Sequence, residues 1–348
     1  MDLLTVSNQY IYAYDSPLVF NIGVGFDWRA ANLQAMVNII QGAEELGFES
    51  AWVPEAWGLE SFSCISHILT LTRRIRIGAG IINVFSRSAT LIGMGCATLN
   101  QIAPERFILG LGVSGRGLIE RWHGVEFRDP IIRVLEYLEV IRKTVSGEKV
   151  DYSGKHLKLS GFRLFTQPLT EKLTVYLAAL GDKSLTLAGK HFDGAILTMY
   201  PSSKLDHAVR LVTTFNPNKK IIYFQPVVLD LSGNTPADKT WVARTIVFYV
   251  ASMGDYYHRN LSVLGFKSTV EEIRSQYVEG NKDEALKAAE PLVEELALTG
   301  SPQKVAEKLL GYPSQVTPVL VFKAENQDNV VVALKTMKAL REAFEGEK

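Results

Sequence analysis

Apolar positions along the chain alternate between two rhythms. Short runs such as Leu18–Phe26, Ser50–Val53, Ile75–Ile82 and Thr174–Ala178 are nearly continuous in apolar residues and too short for helices, which marks buried parallel strands. Between them, residues such as Leu33, Met36, Val37, Ile40, Ala43 and Leu46 recur at the spacing of one helical face, with Gly47 as the stop. The unit repeats. A helix over Phe62–Leu71 leads to the strand at Ile75, and one over Ala89–Leu99 leads to an apolar run opening after Pro104. Asp129 as cap and Pro130 at the first position start a helix carrying Val134, Leu135, Leu138, Ile141 and Val145, which Gly147 ends. A hairpin is predicted around Tyr152–His156. Asp182 is read as the cap of a helix to Lys190, followed by strand Gly194–Met199, helix Ser203–Phe215 and strand Lys220–Leu229.

The alternation then breaks. Residues 231–300 read as a helical insertion with no strand, after which Ser301-Pro302 opens a helix, Val316–Phe322 a strand, and Val330, Leu334, Met337 and Leu340 a last helix. Eight short strands, each followed by a helix, fit an α/β (β/α)8 barrel, a TIM barrel, at roughly 250 residues plus insertions. An open doubly wound sheet is the competing topology, since closure is not written in periodicity. Residues 1–19, polar and tyrosine-rich, form an N-terminal arm to a single barrel domain over 20–348.

Composition narrows the function. The chain is 47% hydrophobic and 21% charged, with 37 basic and 37 acidic residues, so no charge excess favours nucleic acid or an anionic membrane. No apolar run reaches the ~18 residues of a membrane span, and no signal peptide is visible, so a cytoplasmic protein is expected. Cys64 and Cys96 sit in apolar helical contexts and read as buried, reduced thiols. The histidines form no ligand pair and no acidic cluster adjoins them, so no metal is expected. Gly112-Val113-Ser114-Gly115 lacks the partners of a serine nucleophile.

The densest chemistry lies in Phe107–Gly117. Its Gly110-x-Gly112-x-x-Gly115 spacing matches the dinucleotide fingerprint, but no full helix follows at once and no second strand ends in an acid. What remains is a glycine-lined strand end, where a barrel keeps its active site. Glu55, at the end of the second strand between Pro54 and Trp57, is a candidate proton donor or acceptor, with an apolar wall expected around it. His123 follows the glycine loop and titrates near neutrality, so it is a second candidate. Structural roles for both remain open. So do ordinary surface roles for Arg87 and Arg116, and a packed core rather than a lid for Tyr249, Tyr256, Tyr257 and Phe266.

Arg74–Ile81, Pro104–Phe107, Gly110–Gly115, Trp122–Val125, Asp151–His156 and Tyr176–Gly181, in that order and spacing, resemble the luciferase-like flavin and deazaflavin oxidoreductases, specifically the branch using coenzyme F420. The resemblance implies a (β/α)8 barrel, often a homodimer, that binds a flat redox ring at the carboxyl ends of its strands and acts on a small-molecule substrate. It places a non-prolyl cis peptide at Gly80-Ile81, a ring-edge hydrogen bond on Asn83, and backbone donors on Gly112, Val113, Ser114 and Gly115. It puts a phosphate site on Ala179, Leu180, Gly181, Asp182 and Lys183, where a helix N-terminus offers N–H groups to an anion. Glu55-Ala56 stand where several F420 enzymes carry Asp-His. Gly115 replaces an acid of the sugar-phosphate dehydrogenases and of the methylene-tetrahydromethanopterin reductases, and Gly23 a glutamate of the latter. The expected activity is hydride transfer between F420 and a small organic substrate. An FMN-dependent monooxygenase is the alternative, and a non-catalytic flavin-binding barrel a third.

Overall fold

The structure, a computed structural model, describes residues 20–231 and 238–346; the arm expected over 1–19 lies outside them. Eight parallel strands form the barrel: β1 Phe20–Ala31, β2 Phe48–Val53, β3 Arg76–Ala79, β4 Phe107–Gly112, β5 Val175–Ala178, β6 Gly194–Thr198, β7 Lys220–Leu229 and β8 Val316–Ala324. Each pairs with the next, and β8 returns to β1 with Gly23 opposite Val319, which closes the sheet and excludes the open topology.

Alternation along the strands sorts residues into two cores. Inward positions bring Trp52, Ile108, Tyr176, Ile196, Ile222 and Val319 together inside the barrel, with Ile81 and Phe224 partly buried above them. The Trp52 ring is wholly buried and lies where a Gly78 side chain would begin, so β3 can carry only glycine at that inward position. Outward positions, Tyr223 among them, pack under the helices in one continuous core.

The region after β7 holds helices over Thr240–Ala251, Asp255–Leu261, Lys267–Val278, Lys282–Ala288 and Glu290–Leu296, with their own buried cluster around Val242, Ile246, Ile273 and Leu292. It is not wholly helical: Leu298–Gly300 forms a short strand alongside β7, opposite Val227–Leu229. Tyr249, Tyr257 and Phe266 pack against this cluster, and Tyr257 also touches the barrel core, while Tyr256 is exposed.

Asp129 holds the N-cap position predicted for the helix Pro130–Val145, but its side chain does not cap it. It sits in the left-handed region at φ 46° with no side-chain cap bond, and its carboxylate faces Lys155 (2.7 Å) and His156 (3.3 Å) in the hairpin loop instead. Cys64 and Cys96 are buried and free. Among the described residues no helix is long and apolar enough to cross a membrane, and no three metal-ligating side chains cluster.

Candidate functional site

The carboxyl-terminal rim is shaped first by β3 and β4. After Ala79 the chain makes a cis peptide at Gly80-Ile81, and Ile82-Asn83 then resumes parallel pairing opposite Leu111 and Gly112. This detour needs space, and the glycines of β4 supply it. A side chain at Gly110 would overlap the Ala79 carbonyl oxygen, and its Cβ would lie 3.0 Å from Ile81 Cγ2; one at Gly112 would meet Ile81 Cδ1 at 2.9 Å. The fingerprint-like spacing is therefore explained by a neighbouring backbone leaning into β4, not by a dinucleotide turn. Gly80 itself faces Phe224, 3.2 Å from where its Cβ would be.

Beyond β4 the rim opens. Ser114 adopts φ 59°, Gly115 begins the short helix Arg116–Arg121, and nothing lies within 4 Å of a Cβ built at Gly115. His123 follows that helix. Asn83, 3% exposed, accepts the Phe85 N–H on Oδ1 (3.0 Å), so its Nδ2 is the atom turned toward His123 Nε2, at 3.4 Å. The amide donates and Nε2 accepts, which leaves the proton of the neutral imidazole on Nδ1. Burial holds His123 below the ordinary histidine pKa; the Glu55 charge pulls it up and the Arg87 charge adds to the depression.

The apolar wall expected around Glu55 is absent. Both carboxylate oxygens are taken by Arg87, Nη1 to Oε1 at 2.6 Å and Nη2 to Oε2 at 2.8 Å, and Oε2 also accepts the Ser61 N–H at 2.9 Å. Glu60, which caps the helix Ser61–Leu71 through the Phe62 and Ser63 N–H groups, contacts the same guanidinium. Burial works against the Arg87 charge, but its bonds to Glu55 and the nearby carboxylates outweigh it and raise its pKa. The Arg87 carbonyl accepts from Tyr137 Oη (3.1 Å). One arginine thus ties the loops after β2 and β3 to two helices. Arg116, by contrast, pairs with Glu120 on the surface.

On the far side of the rim, the Ala179 N–H bonds the Ile196 carbonyl (3.1 Å) and Leu180 N–H the Ser184 hydroxyl (3.3 Å). The helix after β5 spans Asp182–His191. Asp182 is not its cap: Gly181 takes that place with no side-chain bond, and the Asp182 carboxylate meets His207 Nε2 at 2.8 Å. Lys183 is exposed beside it. Asn260, from the insertion, stands over this turn; its Nδ2 is buried without a partner, and its Oδ1 lies 3.9 Å from a Gly181 Cβ position.

Sequence reasoning missed the aromatic wall over β1 and β2. Trp28 and Trp57 meet edge to face with ring centroids 4.1 Å apart, and Phe248 of the insertion lies 6.1 and 6.5 Å from them. A tryptophan near the end of β1 and another shortly after β2 were the available signal. A hollow of about 850 Å³ lies along the helix Pro130–Val145, between Leu135, Arg142, Leu169, Lys172 and His191. It touches none of the strand ends where the glycines, the bulge and His123 converge, so the rim is the stronger candidate.

The closed barrel thus gathers a bulged strand, an open glycine loop and a helix N-terminus with no side-chain cap at the carboxyl ends of its strands. The chain belongs to the luciferase-like monooxygenase family, whose model matches residues 21–316, and it is an enzyme of the luciferase-like oxidoreductases. It is 24% identical over 331 residues to a Mycobacterium tuberculosis protein named for coenzyme F420-dependent oxidoreduction, covering 87% of this chain and 94% of that one. It is 31% identical over 156 residues to the 5,10-methylenetetrahydromethanopterin reductase of Archaeoglobus fulgidus, covering 44% of this chain and 46% of the relative. The fold matches the coenzyme F420-dependent tetrahydromethanopterin reductase from Methanopyrus kandleri at a TM-score of 0.75 and 19% identity, over 93% and 99% of the two chains.

Proposed function

We propose that this enzyme moves a hydride between coenzyme F420 and a small organic substrate. The observation that carries the reading is the bulge at Gly80-Ile81 seated on Gly110 and Gly112, in a chain similar over most of its length to an F420-named relative. The residues on the rim fit such a cofactor. Ile81 offers a firm apolar backing for a ring, and the open space at Gly115 admits one. The uncapped turn at Gly181–Lys183, with the orphaned Asn260 amide above it, suits an anionic tail.

F420, when bound, supplies the hydride chemistry; the protein supplies binding, orientation and proton handling. Glu55 and Arg87 hold the rim loops in place, a positioning role in which neither charge is free. His123, with its proton on Nδ1, is the group placed to exchange a proton with the substrate. A second copy of the chain is expected to pack on the helix Ala89–Ile102, whose Leu91, Met94 and Ile102 are exposed, and light scattering reports that dimer directly.

The family description favours one rival, an FMN-dependent monooxygenase. Titrating the protein with F420 and separately with FMN, followed by fluorescence, separates the two. Micromolar binding of F420 supports the proposal, whereas tight binding of FMN alone, with oxygen consumed on turnover, replaces it.

A further inference from the structure

Among the described residues, the charged groups Asp27, Arg29, Glu55 and Arg87 on the β1–β2 side of the rim are each paired. Arg29 binds Asp27 (2.6 Å) and the Thr245 hydroxyl (2.5 Å), and lies 4.9 Å above the Phe248 ring. Glu55 is held by Arg87, as described. The polar atom of the wall is spent too, because Trp28 Nε1 donates to Tyr249 Oη at 3.2 Å. What this side offers a ligand is Trp57, which is 40% exposed although Trp28 and Phe248 lie beside it. A phosphorylated or carboxylated substrate would leave water here and find no unpaired cation among the described residues of this wall. A flat apolar body would gain an aromatic contact with rings already fixed in place. The cationic and N–H donors lie elsewhere, at Gly181 and Lys183.

From this division we infer that the enzyme's substrate is an uncharged carbonyl compound or alcohol with a flat apolar ring, which rests on Trp57 against the wall made with Trp28 and Phe248. The inference deepens the oxidoreductase reading and rests on it for the word substrate; the wall itself stands without the cofactor.

The test uses 1-tetralone as a neutral bicyclic ketone and glucose 6-phosphate as a charged competitor, with saturation-transfer NMR on the wild type, Trp57→Ala and a distant exposed control, Phe165→Ala. Tetralone is expected to receive saturation from the wild type and the control, and to bind Trp57→Ala about fivefold to tenfold more weakly, with F420 affinity unchanged. Equal tetralone binding by Trp57→Ala overturns the inference, as does preferential binding of glucose 6-phosphate. A loss of F420 affinity in Trp57→Ala also overturns it, because the wall would then belong to the cofactor. Failure of wild-type protein to bind F420 in the separate titration refutes the cofactor reading alone, and the tetralone comparison still decides the wall.

Discussion

Replacing Arg87 by Met tests whether the rim is held by charge. In the wild type the Glu55 side chain is 8% exposed and that of Arg87 15%, so the pair is nearly dry. Taking away one partner of such a pair typically costs about 3–5 kcal/mol, because the remaining charge is left buried. Part of that is offset here, since Glu55 keeps the Ser61 N–H (2.9 Å), a bond to a charged acceptor worth roughly 1.5 kcal/mol. Glu60 adds little, being half exposed and still bonded to Phe62 and Ser63 N–H groups. The expected loss is about 2–3 kcal/mol. With an unfolding entropy near 2 cal/mol/K per residue, a chain of this length should lose roughly 3–5 °C in Tm. Urea unfolding of wild type, Arg87→Met, Glu55→Leu and the double variant completes the cycle. The double variant should be less destabilised than Arg87→Met alone, with a coupling of about 2 kcal/mol. Additive effects, or a loss below 0.5 kcal/mol for Arg87→Met, would refute the idea that this pair is a buried, mutually dependent unit.

Other expectations follow from single contacts. Gly78→Ala should cost about 1–3 kcal/mol in urea unfolding, because the new methyl overlaps the buried Trp52 ring; an unchanged midpoint would mean the ring moves freely. Gly110→Ala should weaken F420 binding in a fluorescence titration by displacing the Ala79 carbonyl and the bulge after it, and wild-type affinity would detach the bulge from the cofactor. His123→Gln should lower kcat by about 100-fold while F420 affinity stays constant; loss of binding instead would make the histidine structural. His123 should also titrate below 6.5 in an NMR pH series. Since the folded protein resists its protonation, the stability it contributes is complete above 6.5 and is lost as pH falls toward its lowered midpoint. A midpoint at or above 6.5 would show that Arg87 and burial do not dominate its surroundings.

Much of the barrel was legible because strand and helix periods differ so plainly. Runs such as Ile75–Ala79 and Phe107–Leu111 have one reading as strands once the amphipathic helix between them is recognised. The strand at Leu298–Gly300 was not legible, since three residues after a long helical stretch carry no period, and only pairing to β7 makes them a strand. Neither aspartate assigned as a helix cap makes a side-chain cap bond. Asp129 stands at the cap position and Asp182 one residue inside its helix, and each carboxylate is taken by a lysine or histidine across the chain. The candidate site divided likewise. The glycines of β4 and the cis bond at Gly80-Ile81 lie on a strand-end segment that local sequence and resemblance mark out. The surroundings of Glu55 depend on Arg87, 32 residues away, and no local pattern reveals that. The wall of Trp28, Trp57 and Phe248 joins two strand ends to the insertion, a meeting created only by folding.

The two bare positions on β4 have an evolutionary consequence. Because Gly110 and Gly112 give their inward space to the main chain and side chain of residues 79–81, the two segments cannot drift independently. Any lineage that placed a methyl at 110 would first have to straighten its neighbour, and in doing so would give up the seat on which the proposed ring rests. Change at this rim is expected to come in pairs, while the loops beyond it are free to explore new substrates one residue at a time.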